Sequence, residues 1–152
     1  MKKSKLLSIG IFSFLTVVLV FFLLQFVFVS EEKKIERIIK TSKKAFEKED
    51  LELLMGFLSK EYQDEFGLDY QGIREGLHET FSVFDEIKVS LSKVEVEVMD
   101  QEAEVKLSLW VFAKNQDQPV FLIGSLNNPV PSEVFLKKEE GEWKVVRIEI
   151  QY

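Results

Sequence analysis

The sequence predicts an α+β fold: one N-terminal transmembrane helix, then three helices packed on a bent antiparallel sheet of about four long strands. Three observations carry that reading. A charge-free run occupies Leu6–Val29, apolar side chains recur at helical spacing from Ile35 to Phe84, and the period drops to two from Ile87 onward.

The run Leu6–Val29 is 24 residues long, with Ser8, Ser13, Thr16 and Gln25 as its most polar members. As a helix it spans roughly 36 Å, enough for a hydrocarbon layer of about 30 Å with some tilt. A cleaved signal has a shorter apolar stretch and small residues before the cut, whereas this chain has Phe28 two positions before Ser30. The expectation is an uncleaved anchor, residues 6–29, in contact with membrane lipid. Lys2, Lys3 and Lys5 make residues 1–5 a basic tip, which favours an N-terminus held in the cytoplasm. Residues 30–152 are then expected on the outer side of a bacterial cytoplasmic membrane.

The soluble part opens with a charged helix from Glu31 to Glu49, whose stripe is Ile35, Ile38, Ile39, Ser42, Ala45 and Phe46. It follows the apolar run almost without a linker. Asp50 is placed to cap a second helix that buries Leu51, Leu54, Met55 and Leu58. Ser59–Asp69 reads as a loop marked by Tyr62, Phe66 and Gly67. Asp69 is placed to cap a third helix reaching to about Phe84, with Ile73, Leu77, Phe81 and Phe84 apolar and Gly72 and Gly76 allowing close approach.

Alternation then takes over. Ile87, Val89 and Leu91 share one parity, and Val94, Val96 and Val98 the other, so a phase slip near Ser92–Lys93 predicts a bulge or bend. Asp100–Glu102 is a turn, and Ala103–Ala113 is a long strand with Val105, Leu107, Leu109 and Val111 on one face and Trp110 and Phe112 on the other. Asn115–Pro119 is a turn-rich break before a strand at Val120–Leu126. Pro129 and Pro131 interrupt again. Ser132–Lys138 and Trp143–Tyr152 form a hairpin around Glu139–Glu142.

These stretches resemble the nuclear transport factor 2-like superfamily, also called SnoaL-like or cystatin-like. The resemblance rests on Ile35–Leu58 with its Glu49-Asp50 break, on Leu58-Ser59-Lys60-Glu61-Tyr62 followed by Gly67 and a helix, and on the closing hairpin Phe135–Val145. It implies a sheet wrapped around the helices into a cone with a pocket at its open end. Members include isomerases, dehydratases, hydrolases, binding proteins and assembly scaffolds, so the fold alone assigns no activity. Enzymes of this superfamily line the pocket with Asp, Tyr or His. The resemblance therefore makes Tyr62, Asp64, Tyr70, His78, Phe81, Trp110 and Phe112 the pocket candidates. Each has a plain structural alternative: Tyr62 as a core plug, Asp64 as a solvated loop residue, His78 as a surface histidine, Trp110 as cover for an apolar patch.

Composition excludes several functions. From Ser30 onward 17 basic side chains face 26 acidic ones, a net charge of −9, which repels nucleic acid. There is no cysteine, hence no disulfide, thiolate zinc site or cysteine nucleophile. One histidine and scattered carboxylates give no metal motif, and the glycines follow no phosphate-loop spacing, so no cofactor is expected. The expectation is a non-catalytic module that contacts a protein partner or a second copy of itself. The competing expectation is a binder or enzyme for a small apolar molecule held in the cone.

Overall fold

The computed structural model describes residues Thr16–Val18 and 31–151. The expected membrane segment lies outside the described residues except for Thr16–Val18, which are helical. Among the described residues no helix is long and apolar enough to cross a membrane. The chain divides into compact units at Lys33/Lys34, and the second unit, Lys34–Tyr152, is the one described below.

Helix α1 covers residues 31–47, and its stripe is the expected one: Ile35, Ile39 and Ala45 are buried, and Ile38, Ser42 and Phe46 half-buried. Helix α2 is Leu51–Phe57, capped by Asp50, whose Oδ1 accepts from the Leu53 N–H at 3.1 Å. Helix α3 is Tyr70–Val83, capped by Asp69, whose Oδ1 accepts from the Gly72 N–H at 2.8 Å. A Cβ at Gly72 would stand 3.2 Å from Leu68 Cδ2, close enough that the leucine side chain would have to shift slightly.

The sheet has five antiparallel strands rather than about four: β1 Asp85–Met99, β2 Glu102–Asn115, β3 Gln118–Ile123, β4 Val130–Glu139 and β5 Glu142–Ile150. The order is β1-β2-β4-β5, with β3 also on β2. One half of β2 pairs with β4, from Glu102 to Leu109, and the other with β3, from Val111 to Asn115. Strand β3 starts before the expected Val120 and contains Pro119. An edge strand tolerates a proline because one row of its amides needs no ladder partner.

The expected slip in β1 is a bulge between Ser92 and Glu95, opposite Ser108 and Lys106, with Lys93 at φ 52°. A second irregularity lies between Asp85 and Lys88, with Glu86 at φ 51°. Val94, which shares the parity of Val96 and Val98, lies in the bulge and is 41% exposed.

The bulges bend the sheet over two apolar clusters. The larger joins Ile35 and Ile39 of α1 to Tyr62, Val105, Leu107, Val134, Leu136, Trp143 and Val145. The smaller centres on Ile87, Val111 and Ala113, with Phe46, Phe81 and Phe84 packed on it. Leu109 touches both clusters. Among the described residues, Ser132 Oγ is buried on the inner face without a hydrogen-bond partner.

Glu47 fastens α1 to the edge strand. Its Oε1 accepts from Lys43 Nζ at 2.9 Å and from the Val89 N–H at 2.9 Å. Burial pushes this carboxyl up, but the bonds from Lys43 and Val89 and the charges of Lys43 and Lys88 outweigh it and hold the pKa below the ordinary 4.5. A depressed folded pKa stabilises the fold above the unfolded value, and that contribution disappears as pH falls through the folded value. Glu47→Gln should therefore unfold at a lower urea midpoint than the wild type near neutral pH, and the gap should close on acidification below the carboxylate range. A pH-independent gap would contradict this role.

Candidate functional site

The expected pocket residues do not converge on one space. Tyr62 is 2% exposed and belongs to the larger cluster. Its hydroxyl donates to Asp64 Oδ2 at 3.4 Å. Burial, then the Asp64 charge, pushes the phenol well above its ordinary pKa, while a hydrogen bond with the Ile148 backbone opposes the rise. The phenol is thus buried and tied to Asp64 and to the Ile148 backbone.

Asp64 builds the loop before α3. Its Oδ1 accepts from the N–H groups of Phe66 and Leu68, both at 2.9 Å, and its own N–H donates to the Leu68 carbonyl at 3.1 Å. Gly67 takes φ 80° at the tip, where an L side chain would be strained. The closed loop leaves Phe66 64% and Leu68 42% exposed.

Tyr70 opens α3, with Lys60 Nζ 3.7 Å from its ring centroid. One turn on, Arg74 pairs with Glu52 of α2. His78 is exposed on α3. Phe81 packs edge-on against Phe46, ring centroids 5.3 Å apart, inside the smaller cluster. Trp110 and Phe112 point away from these residues, onto the outer face of the sheet. There they form an aromatic ledge with Phe121, at centroid distances of 6.0 Å and 5.6 Å. Phe121 is the ledge residue that sequence reasoning missed, because pairing it with Phe112 needs the β2–β3 register.

Three grooves of the described surface lie elsewhere. One of about 300 Å³ is lined by Glu61, Gln63, Glu104, Phe135 and Arg147 among others. A neighbouring one of about 230 Å³ is lined by Glu95, Val96, Glu97, Glu104 and Lys106. Another, of about 390 Å³, runs between α1 and β1, past Glu36, Ile39, Lys43 and Leu91. None of these three includes an expected pocket residue. Among the described residues no group of three or more His, Asp or Glu side chains is placed to hold a metal ion.

The loop before α3 is instead devoted to sealing β5. Ser59 N–H donates to the Val145 carbonyl at 2.9 Å, and Gln63 N–H to the Val146 carbonyl at 3.1 Å. The buried Ser59 Oγ donates to Glu139 Oε1 at 2.6 Å and accepts from the Glu61 N–H at 3.0 Å.

Comparison with known proteins places this architecture. The sequence profile of the family "Anti-sigma-I factor RsgI9, C-terminal domain" matches residues 37–152. No curated protein matches in sequence. Among solved structures, a proposed scytalone dehydratase from Novosphingobium aromaticivorans superposes with TM-score 0.69 at 17% identity, covering 80% of this chain and 83% of that one. An NTF2-like protein with a cystatin-like fold from the same organism gives 0.66 at 13% identity, covering 84% of each chain. Bd1075 of Bdellovibrio bacteriovorus gives 0.63 at 16% identity and covers 78% of this chain, which spans 39% of that protein's length. These likenesses establish the NTF2-like, cystatin-like fold and nothing about activity.

Replacing Tyr62 measures the strength of this tie. Tyr62→Phe should lower stability by about 1 kcal/mol, the worth of its hydrogen bonds, and Tyr62→Ala by about 3–5 kcal/mol through the cavity it leaves. Chemical denaturation of both variants measures this; a Tyr62→Phe variant as stable as the wild type would contradict the tie.

Proposed function

Because the chain belongs to the anti-sigma-I factor RsgI9 C-terminal-domain family, we propose that it is a membrane-tethered, non-catalytic module making protein–protein contacts in a regulatory assembly of the anti-sigma kind. The observation that carries this reading is where the expected pocket residues lie: Tyr62 and Phe81 pack in the two apolar clusters, and Trp110 and Phe112 stand on the outer face of the sheet. Ile35, Ile87, Val105 and Leu136 are fully buried within those clusters. A small apolar ligand in the cone, the competing reading, needs the expected pocket residues around one cavity.

The tether reading is supported by the charge-free run Leu6–Val29 and by the basic tip Lys2, Lys3 and Lys5. In this reading the N-terminus is inside and the domain outside the cytoplasmic membrane. The outward ledge of Trp110, Phe112 and Phe121 supports contact with a macromolecule, since aromatic rings are favoured at such contacts.

The test uses cells that carry the chain. Protease added to intact spheroplasts should digest the domain, and deleting residues 34–152 from the chromosomal copy should change transcription of a discrete gene set. A protected domain contradicts the topology, and an unaltered transcriptome contradicts the regulatory role.

A further inference from the structure

The outer sheet face carries a charge pattern that the fold itself does not need. Strand register sets its outward side chains in cross-strand rows. One row reads Glu95, Lys106, Glu133, Glu149 from β1 to β5, and the next reads Glu97, Glu104, Phe135, Arg147. Carboxylates stand directly opposite each other twice, at Glu97–Glu104 and at Glu133–Glu149. Like charges in that position destabilise a sheet.

The two cations are already engaged. Lys106 Nζ lies 3.4 Å from Glu104, and Arg147 Nε lies 2.9 Å from Glu149, with the guanidinium 4.1 Å from the Phe135 ring centroid. Five carboxylates against two cations leave these rows with a net charge of −3. The two grooves that share Glu104 open among these side chains. Farther along the same face of β2 stands the aromatic ledge, six residues from Glu104 to Trp110, or about 20 Å at about 3.4 Å per residue.

Resting on the reading of the domain as a protein-contact module, we propose that this face docks a basic segment of a protein partner. Lys or Arg side chains of that segment enter the grooves beside Glu104, and an apolar side chain meets Trp110 and Phe121. Charge complementarity selects this occupant. A second copy whose acidic rows lay on these rows would set carboxylates against carboxylates. A basic partner relieves the opposed pairs instead.

The test titrates the full-length chain with a fluorescein-labelled peptide of alternating Arg and Lys ending in Leu, at physiological ionic strength. Glu97→Gln with Glu133→Gln should weaken binding by about tenfold, whereas Glu75→Gln with Glu79→Gln, exposed on α3, removes the same charge and should change it by less than about twofold. Equal weakening by both pairs, or no binding at all, would overturn the proposal. So would self-association, seen by sedimentation, that strengthens in the Glu97→Gln, Glu133→Gln variant. In cells the same variant should reproduce the transcriptional effect of deleting residues 34–152. If the deletion acts and the variant behaves as wild type, the acidic face falls and the protein-contact reading survives. If the deletion itself is silent, that reading falls, and the peptide titration still judges the face.

Discussion

The fold depends on one extra residue in β1. Ile87, Val89 and Leu91 face inward on one parity and Val96 and Val98 on the other, and the bulge between Ser92 and Glu95 reconciles them. Without it one end of β1 would turn Glu95 and Glu97 into the core, because a one-residue slip exchanges the two faces of a strand. The bulge also bends the strand and increases its twist. The sheet can then cover α1 along two clusters, with Ile35 and Ile39 against β2, β4 and β5, and Phe46 against β1 and β2.

A bent sheet still has edges, and helix-side elements cover two of them. Glu47 takes the Val89 amide of β1, and Ser59 and Gln63 take carbonyls of β5. Ser59 is bonded to Glu139, and Tyr62 to Asp64. The inner face packs and fastens, and the outer face carries the opposed carboxylates and the aromatic ledge.

Much of the fold was legible because local rules decide it. Asp50 and Asp69 cap the helices they were expected to cap, and the parity change at Ser92–Lys93 marks the bulge directly. The strand count and the limits of β3 were less legible. Pro119 reads as a break, and only knowing that β3 lies at an edge makes it tolerable. Val94 keeps the parity of Val96 in the sequence, yet the bulge takes it out of the row. The site was the least legible part. Tyr62, Phe81 and Trp110 are all apolar-faced aromatics in the sequence, but their burial and the face they occupy depend on which strands pair. The acidic rows join residues as distant as Glu95 and Glu149, so they exist only once register is known.

The bulge residue gives the most direct test. Lys93 sits at φ 52°, a left-handed conformation that costs an L residue about 1–2 kcal/mol and glycine almost nothing. The measurement is the unfolding free energy of Lys93→Gly and Lys93→Val. If the bulge is what lets β1 face the core at both ends, Lys93→Gly is at least as stable as the wild type. Lys93→Val, whose branched side chain tolerates this conformation worst, then loses about 1–2 kcal/mol. A Lys93→Val variant as stable as Lys93→Gly would contradict the account.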